Sequence, residues 1–421
     1  MTDGSTERTK VLISGTFDVG NYGDLLFPII AADRLGRLGY DVIPVAPTNT
    51  KPGFADAMPP RALVDVAESR MDFAGMLIGG GEIIHAWPAR FVPEYQDSNL
   101  AETAYLQLWF GASFLASCRD RPIVWNAPGV PSVLPVSARR KWLEPAVAAA
   151  DYISVRDNAS VRALPVTEAS SVVMVPDTVA DLAKVWPLTS LSDAFKGFLR
   201  RHSLSGDERL FCIQLRPGGS GRDTAASIAE RINRFATSHH LLPVLLSIGP
   251  SLGDGETLRA VAQSLKCRYL LLDAPKALRE IAAVIGHARA YLGNSLHGYV
   301  TAVSYGVPGA IVGRPAFRKF AGFASQIGRE PDVTPSWDAG LDRLAEILAC
   351  GLPPTLGQAL PVALERHWQT VIRSIATAGR ERNGRAALLR SAQQLMNESA
   401  RHSTWLAPIM GRTAGLHADA P

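Results

Sequence analysis

The stretch Tyr291-Leu292-Gly293-Asn294-Ser295-Leu296-His297-Gly298-Tyr299-Val300, with Tyr305-Gly306-Val307-Pro308 behind it, decides the fold. Its apolar first part ends at Asn294, and a helical pattern begins around His297. That is the strand–turn–helix step of an α/β protein, where the N–H groups of the first helical turn point outward and suit an anion. A histidine there is a candidate for acid–base work. Alone in such a turn it would serve equally well as a helix cap or core hydrogen bonder, so its neighbours decide.

The same step recurs on both sides. Around the segment, the predicted strands are 210–215, 242–248, 269–272, 290–293 and 310–312, and the predicted helices are 224–238, 255–265, 276–287 and 298–305. Upstream, residues 11–14, 41–45, 76–78, 123–125, 152–155 and 172–175 read as strands, and 25–38 is the clearest helix. This alternation predicts parallel sheets with right-handed crossovers and helices on both faces. Trp186-Pro187-Leu188-Thr189-Ser190-Leu191-Ser192 reads as a linker. The expected class is therefore α/β, with two Rossmann-like doubly wound domains, 1–188 and 189–352, and a site in the cleft between them. A helical extension is expected over 353–400, with helices at 360–378 and 386–399, and a tail of low order over 401–421.

Composition narrows the classes. At 421 residues the chain exceeds what one core usually serves, which agrees with two domains. A net charge of +4 over that length does not argue for nucleic acid and suits an acidic small substrate only weakly. Cys118, Cys212, Cys267 and Cys350 form no Cys-x-x-Cys pair and are expected to be reduced and buried, without a zinc site or a disulfide framework. No apolar run nears the roughly 18 residues that span a bilayer. A cytoplasmic protein is expected, with peripheral attachment at the inner face of the membrane, and homo-oligomerisation, left open.

Four further constellations lie at predicted strand ends. Gly15 to Asp24 contains Gly20-Asn21-Tyr22-Gly23-Asp24 between the first strand and the first helix. Its glycines allow a ligand close to the backbone, although it is neither a Walker A loop nor a dinucleotide fingerprint. Asn21 and Asp24 would also serve as helix caps. Gly79-Gly80-Gly81-Glu82 follows an apolar strand and leaves room for N–H groups to meet a ligand, with Glu82 free to cap a helix or bond a sugar hydroxyl. Arg156-Asp157 and, some twenty residues later, Pro176-Asp177 place polar groups where strands stop; a surface ion pair or a cap is the plainer role for the first. Arg216, after the first strand of the second domain, offers a planar fork suited to carboxylate or phosphate.

Taken in order, Gly20-Asn21-Tyr22-Gly23-Asp24, Gly79-Gly80-Gly81, Ser154-Val155-Arg156-Asp157, Pro176-Asp177, Arg216, Leu296-His297-Gly298 and Gly306-Val307-Pro308 resemble the polysaccharide pyruvyl transferase family over roughly residues 10–330. The resemblance implies a GT-B-like fold and transfer of the pyruvyl group of phosphoenolpyruvate to two sugar hydroxyls as a cyclic pyruvate ketal, a step in exopolysaccharide and cell-envelope biosynthesis. It implies phosphoenolpyruvate as donor substrate, with no other cofactor and no metal, and a sugar, glycolipid or polysaccharide acceptor. His297 would be the acid or a hydrogen-bonding ligand of the phosphate, and Asp177 the base for the hydroxyl. Arg216, Ser295, Leu296 and Gly298 would meet the donor, and Gly20, Asn21, Tyr22, Asp24, Gly79, Gly80, Gly81, Glu82 and Arg156 would line the acceptor side. Many members carry Arg-Leu-His where this chain has Ser295-Leu296-His297; Arg314 or Lys319 would then replace the missing guanidinium. The alternatives are a GT-B nucleotide-sugar glycosyltransferase and a catalytically silent sugar-binding protein of polysaccharide assembly.

Overall fold

A computed structural model describes residues 8–69, 71–96, 100–165, 171–219, 223–313, 318–351, 356–377 and 384–410. Arg314 and residues 411–421 lie outside the described residues.

The first sheet comprises β1 (Thr9–Ser14), β2 (Tyr40–Ala46), β3 (Arg61–Ala62), β4 (Met76–Ile78) and β5 (Ile123–Trp125), in the order β3-β2-β1-β4-β5. Every pairing in it is parallel. A parallel bridge between Val124 and Tyr152 continues it towards the pair β6 (Ile153–Val155) and β7 (Val172–Met174). The second sheet holds β8 (Leu210–Gln214), β9 (Leu242–Leu246), β10 (Leu270–Leu272), β11 (Ala290–Gly293), β12 (Gly309–Val312) and β13 (Val333–Thr334), also all parallel, in the order β10-β9-β8-β11-β12-β13. Helices cover both faces, so β8, β9 and β11 are buried along their whole length and read as unbroken apolar runs.

In both sheets the strand order reverses beside the first strand, between β1 and β4 and between β8 and β11. The crevice beyond the carboxyl ends at such a reversal is where open α/β sheets take ligands. The loops after these four strands carry the glycine-rich turns, Arg216 and His297.

The strands predicted from sequence form within two residues of their expected ends. The two-residue strands β3 and β13 are too short to leave a pattern. The helical run through Leu100–Leu106, Gln107–Gly111 and Ala112–Cys118 also escaped prediction. Its middle segment is buried on every side, which erases the amphipathic period.

The domains meet through the first helix, Tyr22–Gly36. Tyr22 N donates to Ile248 O at 2.9 Å, and the Tyr22 hydroxyl lies 3.0 Å from Thr301 Oγ1. Tyr22, Leu25, Leu296 and Val300 belong to one apolar cluster that runs from the first domain into the second. Asp56 accepts from Leu278 N and Arg279 N at 2.6 and 2.9 Å, capping a second-domain helix from the first domain.

The expected linker 186–192 is anchored at both ends, with 187–190 exposed between them. Trp186 and Leu191 are buried, the Tyr305 hydroxyl donates to Trp186 O at 2.7 Å, and Ser192–Arg201 continues as a helix. After the second domain, helices Ala359–Ala376 and Arg385–Glu398 return to the first domain. His367 is a buried polar anchor, with Nε2 2.8 Å from Asn126 Oδ1 and Nδ1 3.1 Å from the Tyr152 hydroxyl. The expected loose tail is corrected in part: Ala400–Met410 is helical, because Trp405, Leu406 and Ile409 bury against the first domain's second apolar cluster. Burial of each such side chain contributes about 1.5–3 kcal/mol. Of the four free cysteines only Cys212 is buried, while Cys350, at the end of a surface helix, is exposed. Among the described residues no helix is long and apolar enough to cross a membrane.

Candidate active site

A cavity of about 320 Å³ opens between the two sheets at their points of reversal. One wall comes from the second domain, through Gln214, Arg216, Asp254, Asn294, Ser295, Leu296 and His297. The facing wall comes from the first domain, through Thr16, Asn21, Asp24, Gly81, Glu82 and Arg156, with Lys319 at its edge.

The second-domain wall is fixed by a chain of hydrogen bonds at strand ends. Asp254 Oδ2 accepts from Gln214 Nε2 at 2.8 Å, Gly249 N at 3.0 Å and Ile248 N at 3.1 Å, tying β8 to the loop after β9. Asn294 N donates to Gln214 Oε1 at 2.9 Å, and Asn294 Nδ2 donates to Val312 O at 2.7 Å, tying β8 to β11 and β12. Ser295 is the N-cap of the helix Leu296–Ser304, its Oγ accepting from Gly298 N at 3.3 Å. His297 is thereby held in the first helical turn, 8% exposed and lining the cavity. Its ring meets Phe27 edge-on at 5.5 Å and lies so close to the first helix that a Cβ on Gly23 would fall 1.8 Å from Nδ1. Glycine at that position is what lets the two domains bring the imidazole between them.

Behind the imidazole is Asp177, 1% exposed, with Oδ2 3.4 Å from His297 Nε2 and Oδ1 accepting from Val179 N at 3.1 Å. Burial pushes the Asp177 carboxyl up, but His297 and then Arg156 outweigh it and hold the group below the usual carboxylate value. Arg156, 4% exposed, spans the charged cluster. Its nitrogens are 3.1 Å from Glu82 and 3.7 Å from both Asp157 and Asp177. Nε and Nη2 nevertheless have no hydrogen-bond partner among the described residues. Lys319 Nζ donates to Glu82 Oε2 at 2.7 Å. Burial raises Glu82, but Lys319 and Arg156 more than reverse it and bring the carboxyl down to about 2. Asp24 Oδ2 accepts from Asn21 Nδ2 at 2.8 Å and Thr16 Oγ1 at 2.9 Å. The turn Gly80-Gly81 adopts φ of +114° and +74°, a left-handed path that lets Glu82 double back towards Arg156.

Of the residues singled out from sequence, the fold brings Asn21, Asp24, Gly81, Glu82, Arg156, Arg216, Ser295, Leu296, His297 and Lys319 to the cavity. It places Asp177 behind His297, outside the lining, because the carboxylate turns into the Arg156 cluster. Tyr22, Gly20, Gly79, Gly80 and Gly298 also fall outside the lining. Tyr22 locks the domains together, Gly20 N donates to Ser251 Oγ at 3.0 Å, and Gly79 N donates to Ser14 O at 3.1 Å. Sequence reasoning missed an aromatic flank made of His85, Trp87, Phe91 and Tyr105. A cluster of aromatic and histidine residues without helical or strand period, just after the glycine run, was the available signal.

A family model described as polysaccharide pyruvyl transferase matches residues 21–314. No curated protein matches the chain in sequence. In structure, the chain is similar to UDP-GlcNAc 2-epimerase from Methanocaldococcus jannaschii, at 12% identity and a TM-score of 0.54, over 87% of this chain and 99% of that one. It is also similar to S. aureus MnaA solved with UDP, at 12% identity and 0.52, over 89% and 99% of the two chains. UDP-GlcNAc 2-epimerase from Neisseria meningitidis bound to UDP-GlcNAc matches at 13% identity and 0.50, over 87% and 100%. At such identity the likeness shows the fold, two facing Rossmann-like domains of GT-B type.

Proposed function

The chain belongs to the polysaccharide pyruvyl transferase family, and from that premise we propose that it transfers the pyruvyl group of phosphoenolpyruvate to two hydroxyls of a sugar acceptor. The observation that carries this reading is the gathering of Arg156, Arg216, His297 and Lys319 on one cavity. Two guanidinium groups, an ammonium and an imidazole on one cavity call for an anionic ligand. A small dianion or trianion carrying carboxylate and phosphate fits that need. It also bears on Ser295: Arg156 reaches the cavity from the opposite wall and supplies the cation that the family triplet would have placed at position 295.

Ketal formation consumes two hydroxyl protons. One ends on the methylene carbon of the donor, which becomes a methyl group, and the other leaves with phosphate. His297 would deliver the first, with Asp177, ionised behind Nε2, providing the counter-charge for the protonated ring. Asp177 in this reading positions and charges the imidazole; it does not meet the hydroxyl, since it lies outside the cavity lining. Asp24, on the cavity lining and held in place by Asn21 and Thr16, would take the proton of the acceptor hydroxyl. A well-placed acid or base is worth about 10²–10⁴-fold in rate.

The test is incubation with phosphoenolpyruvate and a panel of glycosides, following phosphate release and a pyruvyl mass increment on the sugar. Transfer from a nucleotide sugar in the same panel, with no phosphate released from phosphoenolpyruvate, would overturn the donor in favour of a glycosyltransferase.

A further inference from the structure

Trp87 and Phe91 are 52% and 64% exposed at the edge of the cavity. Trp87 is the only one of the eight tryptophans more than half exposed. The loop that carries them is tightly held. Trp109 Nε1 donates to His85 O at 2.9 Å, Ala89 N donates to Ala101 O at 2.6 Å, and Ala89 and Val92 are buried. Behind Trp87 the rings pack in depth at a tilt: its centroid is 4.7 Å from that of His85, with 36° between the planes, and His85 is 3.9 Å from Tyr105 at 44°. Trp87 N donates to His85 Nδ1 at 3.1 Å, and burial pushes His85 down to about 4, so the ring beneath the indole is uncharged at neutral pH. Trp87 thus packs against a buried neutral ring while half of its surface stays open. Folding gains nothing from leaving two large aromatics in water, and such patches on otherwise soluble proteins mark binding surfaces.

We infer that Trp87 and Phe91 form the platform on which a pyranose ring of the acceptor lies. A pyranose has an apolar face of C–H bonds and a rim of hydroxyls. The cavity wall beside the platform supplies the matching polar edge, with the carboxylates of Asp24 and Glu82 accepting from hydroxyls. A lipid surface would need no carboxylates at that position. Because His85 already holds the Trp87 ring before ligand arrives, little ordering cost is left to that side chain on binding. The inference rests on the reading of the cavity as an acceptor site, but its readout needs no donor and no turnover.

Methyl glycosides of glucose, galactose, mannose and N-acetylglucosamine titrated into the full chain without donor should change Trp87 fluorescence. Trp87→Phe should lose that signal and keep the affinity, as followed by saturation-transfer NMR. Trp87→Ala combined with Phe91→Ala should weaken Kd roughly 10-fold or more, as truncation of aromatic anchors does, while phosphoenolpyruvate binding is unchanged. Equal glycoside affinity in the double variant, or no glycoside binding by the wild type, overturns the platform. Unchanged glycoside affinity with lost partition onto phosphatidylglycerol vesicles overturns it in favour of a membrane seat. Absence of pyruvyl transfer with intact Trp87-dependent glycoside binding would sink the donor reading alone.

Discussion

The two walls of the cleft are built by different rules. The second-domain wall is built at strand ends: one N-cap holds the helix start, and the Asp254–Gln214–Asn294 chain links groups that lie 40 and 80 residues apart in sequence. The first-domain wall is made from loops, with a guanidinium short of hydrogen bonds, aromatics left in water, and a helix returning from the far end of the chain to brace the sheet behind it. One wall holds a fixed imidazole; the other holds a charged cluster and exposed aromatics. On the proposed reading the second-domain wall supplies the acid, and the first-domain wall supplies the base, Asp24, together with the contacts to the acceptor.

The comparison breaks most visibly at His297. His297→Ala should lower kcat by about 10²–10⁴-fold, and His297→Gln should do the same while keeping a side-chain N–H for Asp177. If His297→Gln retains activity within tenfold of wild type, the residue binds phosphate by hydrogen bonding and is not the acid. Asp177→Asn should lose less than either, because it removes the counter-charge and leaves the ring.

The same contrast explains what was legible in the sequence. Strand–turn–helix steps are local, so β8, β11 and the helix carrying His297 could be read from apolar runs and one turn. Arg156, Glu82 and Asp177 could be named as strand-end residues, but their mutual geometry could not. Their meeting depends on the left-handed turn at Gly80-Gly81 and on Lys319, more than two hundred residues downstream. Asp177 is the instructive case: position alone offers it to the cavity, while its charge partners turn it to the back of His297. Trp87 and Phe91 lie in a loop without period, where no pattern separates an exposed aromatic from a buried one.

Acid should loosen the first-domain side sooner than the second. Burial pushes His367 down to about 3 and His85 down to about 4, from 6.5 in the unfolded chain. A histidine whose folded pKa is depressed leaves stability intact above pH 6.5 and costs it as pH falls below that, because only the unfolded chain readily takes the proton. Between pH 6.5 and 4, His367 alone accounts for roughly 3 kcal/mol. Asp18 works in the opposite sense: burial, against hydrogen bonds from Tyr95 and Thr48, pushes it up to about 6, so its contribution falls as pH rises from 3.8 to 6. Denaturant melts at pH 6.5 and 4 should therefore show His367→Gln losing about 3 kcal/mol less than wild type between the two, and hydrogen exchange should open Ala359–Ala376 before β8 and β11. Equal acid sensitivity in the variant would remove His367 as the cause.

Ser295 gives the smallest effect and the sharpest separation of the two walls. Its Oγ caps the helix that carries His297, so Ser295→Ala should cost about 1 kcal/mol, read in a denaturant melt. On the proposed reading KM for phosphoenolpyruvate should barely move, since Arg156 across the cleft would face the donor. Ser295→Arg loses the same cap and restores the guanidinium of the family triplet. If Arg156 already meets the anion, the added charge finds no vacant partner and KM stays within a few-fold of wild type. A tenfold or greater fall in KM in Ser295→Arg would place the donor anion at the second-domain helix instead, and would make the first-domain wall a surface for the acceptor alone.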